Sequence, residues 1–132
     1  MEEVDGVYII DRESGIVLAE DSLIKEDPML VGGLIHAIST FLASTLGSRK
    51  MLRAIDSGDV KLILEHGTRY TAVAVAKRDD PIIRKKLNLL IEAITDKISL
   101  RPDIINTTGN PELKAIIARI FEIRKMVALE SV

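Results

Sequence analysis

The sequence predicts an α/β domain of the α+β type, in which helices cover one antiparallel sheet. The chain of 132 residues can form one domain with a sizeable core. Five short apolar segments are bounded by turn residues, and three longer segments repeat apolar residues at three- and four-residue spacing. Most strands are joined by connections too short for a parallel return, so neighbouring strands must run antiparallel.

The first 20 residues predict a β-hairpin. Residues 4–10 and 16–20 are its strands, and the polar segment 11–15 is its turn. Gly15 can take the positive φ that such a turn requires. Asp11 is expected to bond the turn amides.

The first helix begins at Asp27-Pro28, because Asp is a good N-cap and Pro is favoured at the first helical position. Gly47 is expected to end it. Its apolar residues form one wide face of an amphipathic helix. They are Leu30, Val31, Leu34, Ile35, Ile38, Phe41, Leu42 and Leu46.

Three more strands follow at residues 50–56, 60–65 and 69–77, separated by glycine-containing turns. In the last of them every second residue from 72 to 76 is alanine, which suits a central strand with a helix packed closely across it. A second helix begins at Asp80-Pro81 and ends at Arg101-Pro102. After an irregular link, about 101–110, a third helix runs from Asn110-Pro111 to Val127.

The predicted element order is β-β-α-β-β-β-α-α, within a single domain spanning 1–132. A crossing helix brings the three later strands in beside the first one, so the spatial order of the sheet is 2-1-5-4-3. The second and third strands are therefore edges, where a partner or a second copy can dock.

Composition excludes several classes of function. The net charge of −2 and the few aromatic residues argue against nucleic-acid binding. Without cysteine there are no disulfides, and no apolar run is long enough to suggest an integral membrane segment. The acidic start predicts a cytoplasmic protein. Many charged residues, with no glutamine, cysteine or tryptophan, predict a thermophilic source.

Residues with reactive side chains do not form an enzyme motif. Asp11, Glu13 and Asp21 could be an acid–base set, but the first two lie in an exposed turn. Ser14 lacks the Gly-x-Ser-x-Gly context of a nucleophile. The two histidines, His36 and His66, have no spacing that supplies further metal ligands. We therefore expect no catalytic residue, no metal and no cofactor.

Two other features invite a binding role. Gly32-Gly33 lies inside a helix, where each glycine costs up to about 1 kcal/mol relative to alanine. We expect it to allow close approach to the sheet or to a second copy. The basic run 77–86 is expected to be a solvated helix start, with Arg84, Lys85 and Lys86 as candidates for binding a partner.

The opening stretch VYIIDRESGIVLAED resembles the longin-like members of the Roadblock/longin superfamily. In that family the first strand ends in an Asp-x-x-(Ser/Thr)-Gly turn, matched here by Asp11, Ser14 and Gly15. The segment 61–77 is similar to the family's fourth and fifth strands. No helix precedes the first strand, so the order resembles longin rather than Roadblock proper. The absence of a following coiled-coil motif and membrane anchor argues against a vesicle-fusion role.

This resemblance implies a noncatalytic adaptor that binds or regulates a small Ras-like GTPase or a related signalling or trafficking assembly, usually as a dimer. We expect a homodimer and a longin/profilin-like fold. The alternative is a small-molecule sensor of PAS/profilin-like architecture, although the inward positions are almost wholly aliphatic. The residues expected to bind a partner are Gly32, Gly33, His36, Ile16, Leu18, Arg84 and Lys85.

Overall fold

The computed structural model describes residues 4–25, 27–45, 52–100 and 109–121. The order of strands and helices is the one that the sequence predicts. The elements are β1 (Val4–Asp11), β2 (Val17–Ser22), α1 (Pro28–Thr45), β3 (Ala54–Asp56), β4 (Lys61–His66), β5 (Tyr70–Ala76), α2 (Pro81–Leu100) and α3 (Pro111–Ile120).

The five strands form one antiparallel sheet in the order β2-β1-β5-β4-β3, which confirms the predicted topology. The central strands β1 and β5 pair along most of their length, from Val4 opposite Ala76 to Asp11 opposite Tyr70. The edges are β2 and β3. A bulge in the β1–β2 pairing places Ile10 opposite Val17 and Ile9 opposite Ala19.

One face of the sheet packs against α2 and α3. The alanines of β5 lie in this core, and their small side chains let α2 approach the central strands closely, as predicted. The buried residues that α2 contributes are large and aliphatic: Ile83, Leu87, Leu90, Ile91 and Ile94. Leu113 and Ile117 of α3 extend the same core.

The opposite face of the sheet packs against α1. Tyr8, Ile10, Leu64 and Val73 lie in this second core, and α1 contributes Ile35 as its buried apolar side chain. The sheet is therefore the middle layer, with one helix on one side and two on the other. This arrangement leaves the greater part of the surface of α1 outside the core.

Some boundaries differ from the predicted ones. β3 is only three residues long. The helix predicted to reach Val127 ends at Ile120, because Phe121 is extended and buries its ring in the core with 2% of its surface exposed. The proposed helix end at Gly47, the stop at Arg101-Pro102 and most of the irregular link lie outside the described residues.

Candidate interaction surfaces

The hairpin segment Asp11–Gly15 is held as a turn by its own polar groups. The Asp11 carboxylate accepts from the Glu13 amide at 3.0 Å, and the Ser14 hydroxyl accepts from the Ile16 amide at 3.2 Å. The Asp11 carbonyl accepts from the Gly15 amide at 2.8 Å, and Gly15 has a φ of 78°. Asp11 and Ser14 therefore have the turn-forming role expected from the sequence.

The three acids considered as an acid–base set do not lie together. Asp21 pairs with Val7 in the sheet, four residues along β1 from Asp11, a spacing of about 13 Å. Asp21 is buried, whereas Glu13 is exposed in the turn. Within the described part of the chain, no group of three His, Asp or Glu side chains could hold a metal ion.

His66 connects two strands to the segment before β3. Its Nε2 lies 2.6 Å from the Leu52 carbonyl oxygen, and its Nδ1 lies 2.9 Å from the Thr71 hydroxyl. Because a carbonyl can only accept, Nε2 carries the proton, and in the neutral ring Nδ1 accepts from Thr71. His66 therefore has a structural role at the β3 side of the sheet.

At Gly32, α1 lies in close contact with the hairpin turn and with β2. A Cβ at this position would overlap the Gly15 carbonyl oxygen and would lie 2.8 Å from Cγ2 of Val17. One turn along the helix, His36 lies against Gly15, where a Cβ would come within 2.6 Å of the His36 Cβ. The hairpin turn thus packs directly against α1. This contact is the close approach that the sequence predicts for Gly32.

Gly33 faces the other way. No atom lies within 4 Å of the position that its Cβ would occupy, and the residue is exposed. Packing within the chain therefore gives no reason for glycine here.

The exposed part of α1 includes an apolar stripe, and we call its residues Leu30, Gly33, Leu34, Ala37 and Phe41 the outer stripe. The spacing of these residues places them on one side of the helix. Leu30 is 62% exposed, Leu34 47% and Phe41 61%. The wide apolar face predicted for this helix is therefore only partly covered, because the sheet covers the side that carries Gly32 and Ile35.

The whole of α1 is free of Asp, Glu, Lys and Arg. By length and composition alone this helix is long and apolar enough to cross a membrane, a criterion that core helices of soluble proteins also meet. Most surface helices of globular proteins instead carry charged residues on the side away from the core. An uncharged and apolar exposed side is typical of a surface that another molecule covers.

The second predicted surface, the β2 edge, is only partly accessible. Ile16 is 44% exposed, but Leu18 is 3% exposed and its side chain belongs to the core. The Leu18 carbonyl also accepts from the Gly109 and Asn110 amides at 2.8 and 3.2 Å. The structure therefore leaves Ile16, but not Leu18, in a position to contact a partner.

Arg84 joins the start of α2 to the strands. Its guanidinium contacts Asp79 at 2.8 Å and Glu65 at 3.3 Å, and it donates to the carbonyls of Leu64 and Arg53. The hydrogen bond to Asp79 raises the pKa of Arg84. With 20% of its side chain exposed, Arg84 is occupied inside the chain and is not a free basic group for a partner.

Substitution of Arg84 tests this structural role, and the exposed neighbouring residue Lys85 provides the control. Replacing Arg84 by alanine should lower the free energy of unfolding by about 2 kcal/mol, because half-buried acceptors lose a charged donor. Arg84→Lys should recover only part of this loss, since an ammonium cannot reach all four acceptors. Urea denaturation measures both, with Lys85→Ala as the matched control, expected to change stability by less than about 0.5 kcal/mol. Equal losses for Arg84→Ala and Lys85→Ala would contradict the assignment.

No family model matches the chain, and no curated protein matches it. Among solved structures the chain is similar to Myxococcus xanthus MglB, at 16% sequence identity and a TM-score of 0.47. The similarity covers 72% of this chain and 80% of that one.

Proposed function

We propose that this chain is a noncatalytic interaction domain of the cytoplasm, which self-associates and binds a small Ras-like GTPase as an adaptor or regulator. The outer stripe of α1 is the observation that carries the interaction role. The partner class comes from the sequence resemblance to longin-like domains, through the turn formed by Asp11, Ser14 and Gly15.

Covering the outer stripe stabilises a complex through the hydrophobic effect. Full burial of a Leu or Phe side chain is worth about 1.5–3 kcal/mol, and roughly half of that remains available at Leu30, Leu34 and Phe41. Together these three residues can contribute about 3 kcal/mol, a factor of about 100 in Kd. Gly33 and Ala37 are small enough for a partner helix to approach the backbone between them.

A second copy of the chain fits this surface, since an uncharged helix loses no ionic solvation when it faces another one. The short β3 strand forms the second edge of the sheet. Ala54, Ile55 and Asp56 pair with β4 on one side, so a neighbouring copy can pair on the other. Self-association through α1, with or without β3, is therefore part of the proposal.

The test is a pull-down of the small Ras-like GTPases of the source organism, each loaded with GDP or with a non-hydrolysable GTP analogue. We expect one GTPase to bind, with a preference for one nucleotide state. Light scattering on the chain alone should give the mass of a dimer.

Absence of binding in both nucleotide states would remove the GTPase from the proposal. A strict monomer at concentrations of about 100 μM would remove self-association. The two parts fail separately, because neither measurement depends on the other.

A further inference from the structure

Within the described parts of the chain, β1 is the only strand that pairs with β2, and no backbone hydrogen bond is made to the outer edge of β2 beyond Leu18. Ala19 and Asp21 pair with Ile9 and Val7 of β1, and the Leu23 amide donates to the Asp5 carbonyl at 2.8 Å. Because backbone groups alternate in direction along a strand, those of Glu20 and Ser22 point away from β1. The second half of β2 therefore presents its backbone donors and acceptors at the sheet edge.

The chain itself already makes hydrogen bonds to the first half of this edge, at Leu18. Gly109 and Asn110 donate their amides to the outward carbonyl of Leu18. The turn at Gly109, where φ is 70°, thus brings backbone donors to the outer edge of β2, and Glu20 presents the next outward groups along the same strand.

A cavity of about 220 Å³ opens beside these groups, between β2 and the starts of α1 and α3; we call it the β2 cleft. Val17, Ala19, Pro28 and Met29 make its walls apolar. Pockets for small molecules usually measure about 300–1,000 Å³, so the β2 cleft is small for a metabolite or cofactor. Its size suits one aliphatic side chain.

Charged groups surround the β2 cleft. Glu20 and Asp27 contribute carboxylates, and Lys114 of α3 contributes an ammonium group. The two carboxylates outweigh the single ammonium, so the cleft favours a segment with basic residues beside its apolar one.

We propose that the β2 edge binds an extended, basic segment of a partner protein as a sixth strand, with one aliphatic side chain in the β2 cleft. In such a complex the backbone of Glu20 and Ser22 supplies hydrogen bonds, and the cleft selects the side chain. This surface is separate from the outer stripe, and the proposal goes beyond the function proposed above.

The probe is the peptide acetyl-Lys-Val-Leu-Val-Lys-amide, added to the full chain labelled with ¹⁵N. We expect the amide resonances of Glu20, Ser22 and Met29 to shift on titration. Replacing the central leucine of the peptide by aspartate should weaken binding at least about tenfold.

Two further peptides test the strand geometry. In each, the backbone amides along one edge of the extended peptide are N-methylated, which removes their donors. We expect one version to bind like the parent peptide and the other at least about tenfold more weakly, since only one edge can pair with β2. Equal binding of both versions would overturn the added strand.

A matched pair of protein variants locates the site. Met29→Asp places a charge in the wall of the β2 cleft and should abolish peptide binding. Leu30→Asp changes the adjacent residue, which is 62% exposed and lies on the outer stripe, and should leave peptide binding unchanged. Loss of binding with Leu30→Asp alone would assign the peptide to the outer stripe and overturn the proposal.

Three other results would also overturn it. One is the absence of shifts at Glu20 and Ser22 with about 1 mM peptide. Another is a concentration-dependent shift of these two amides in the protein alone, which would make a second copy the occupant. The last is binding of the free amino acid leucine as tightly as the peptide, which would make the β2 cleft a small-molecule site.

Discussion

Replacing Gly32 by alanine is expected to lower the free energy of unfolding by about 2 kcal/mol, although alanine is the better helix former. The added methyl group would overlap the Gly15 carbonyl oxygen and contact Val17, so α1 must move away from the sheet. Overpacking typically costs about 1–3 kcal/mol. Because the overlap is with a backbone oxygen, we place this variant at about 3 kcal/mol, and the helix-propensity gain of about 1 kcal/mol leaves a net loss of about 2 kcal/mol.

Gly33→Ala is the matched control, because it makes the same chemical change one residue along the helix. Its Cβ meets no atom within 4 Å, so we expect a gain of up to about 1 kcal/mol. Urea denaturation followed by circular dichroism compares the two variants at one fixed protein concentration, since self-association also changes apparent stability. Stability changes of the same sign would contradict the close approach at Gly32.

Leu34→Asp is expected to weaken self-association by about a hundredfold. It should weaken GTPase binding by the same factor where the GTPase contacts α1. Leu34 is 47% exposed at the middle of the outer stripe, so the variant should fold. In a complex that covers the stripe, the new carboxylate would lose its hydration without gaining a partner. A loss of about 3 kcal/mol corresponds to the expected change in Kd.

Leu89→Asp on α2 is the matched control, because Leu89 is 49% exposed and lies on the opposite side of the sheet. Sedimentation equilibrium and the GTPase pull-down should detect the loss with Leu34→Asp only. If both variants weakened binding equally, or if neither weakened it, the assignment of the outer stripe would be contradicted. Sedimentation with lipid vesicles is a further control. If the protein binds vesicles and Leu34→Asp removes that binding, a membrane is what covers the outer stripe.

The sequence predicted most of the fold correctly because local signals agreed with one another. Asp-Pro pairs begin α1 and α2, and an Asn-Pro pair begins α3, where Asn110 caps the amides of Glu112 and Leu113. Because the turns are short, consecutive strands had to be antiparallel neighbours. This requirement left few possible orders of the strands in the sheet. The end of α3 was misplaced because Phe121 leaves the helix to reach a core that the local sequence does not describe.

The exposure of the candidate interaction residues was harder to predict than the fold. The apolar spacing in α1 identified a helix with one wide apolar face that includes Leu30, Leu34 and Phe41, but it could not say how much of that face the sheet covers. The complete lack of charge in Pro28–Thr45 was the signal that could have indicated a second apolar side. Arg84 looked like a free basic group because its partners on β4 and before β3 lie about 20–30 residues earlier in the chain.

The sequence by itself determined the elements and the order of the strands in the sheet. It also indicated that the Gly32-Gly33 pair, inside a helix, allows a close approach. Only the tertiary structure decided which glycine meets the sheet, since successive residues of a helix point about 100° apart. It also decided that, of the three described helices, α1 packs on one face of the sheet while α2 and α3 share the other. A pattern of apolar residues specifies that a surface must be covered, but the element that covers it comes from packing between distant parts of the chain.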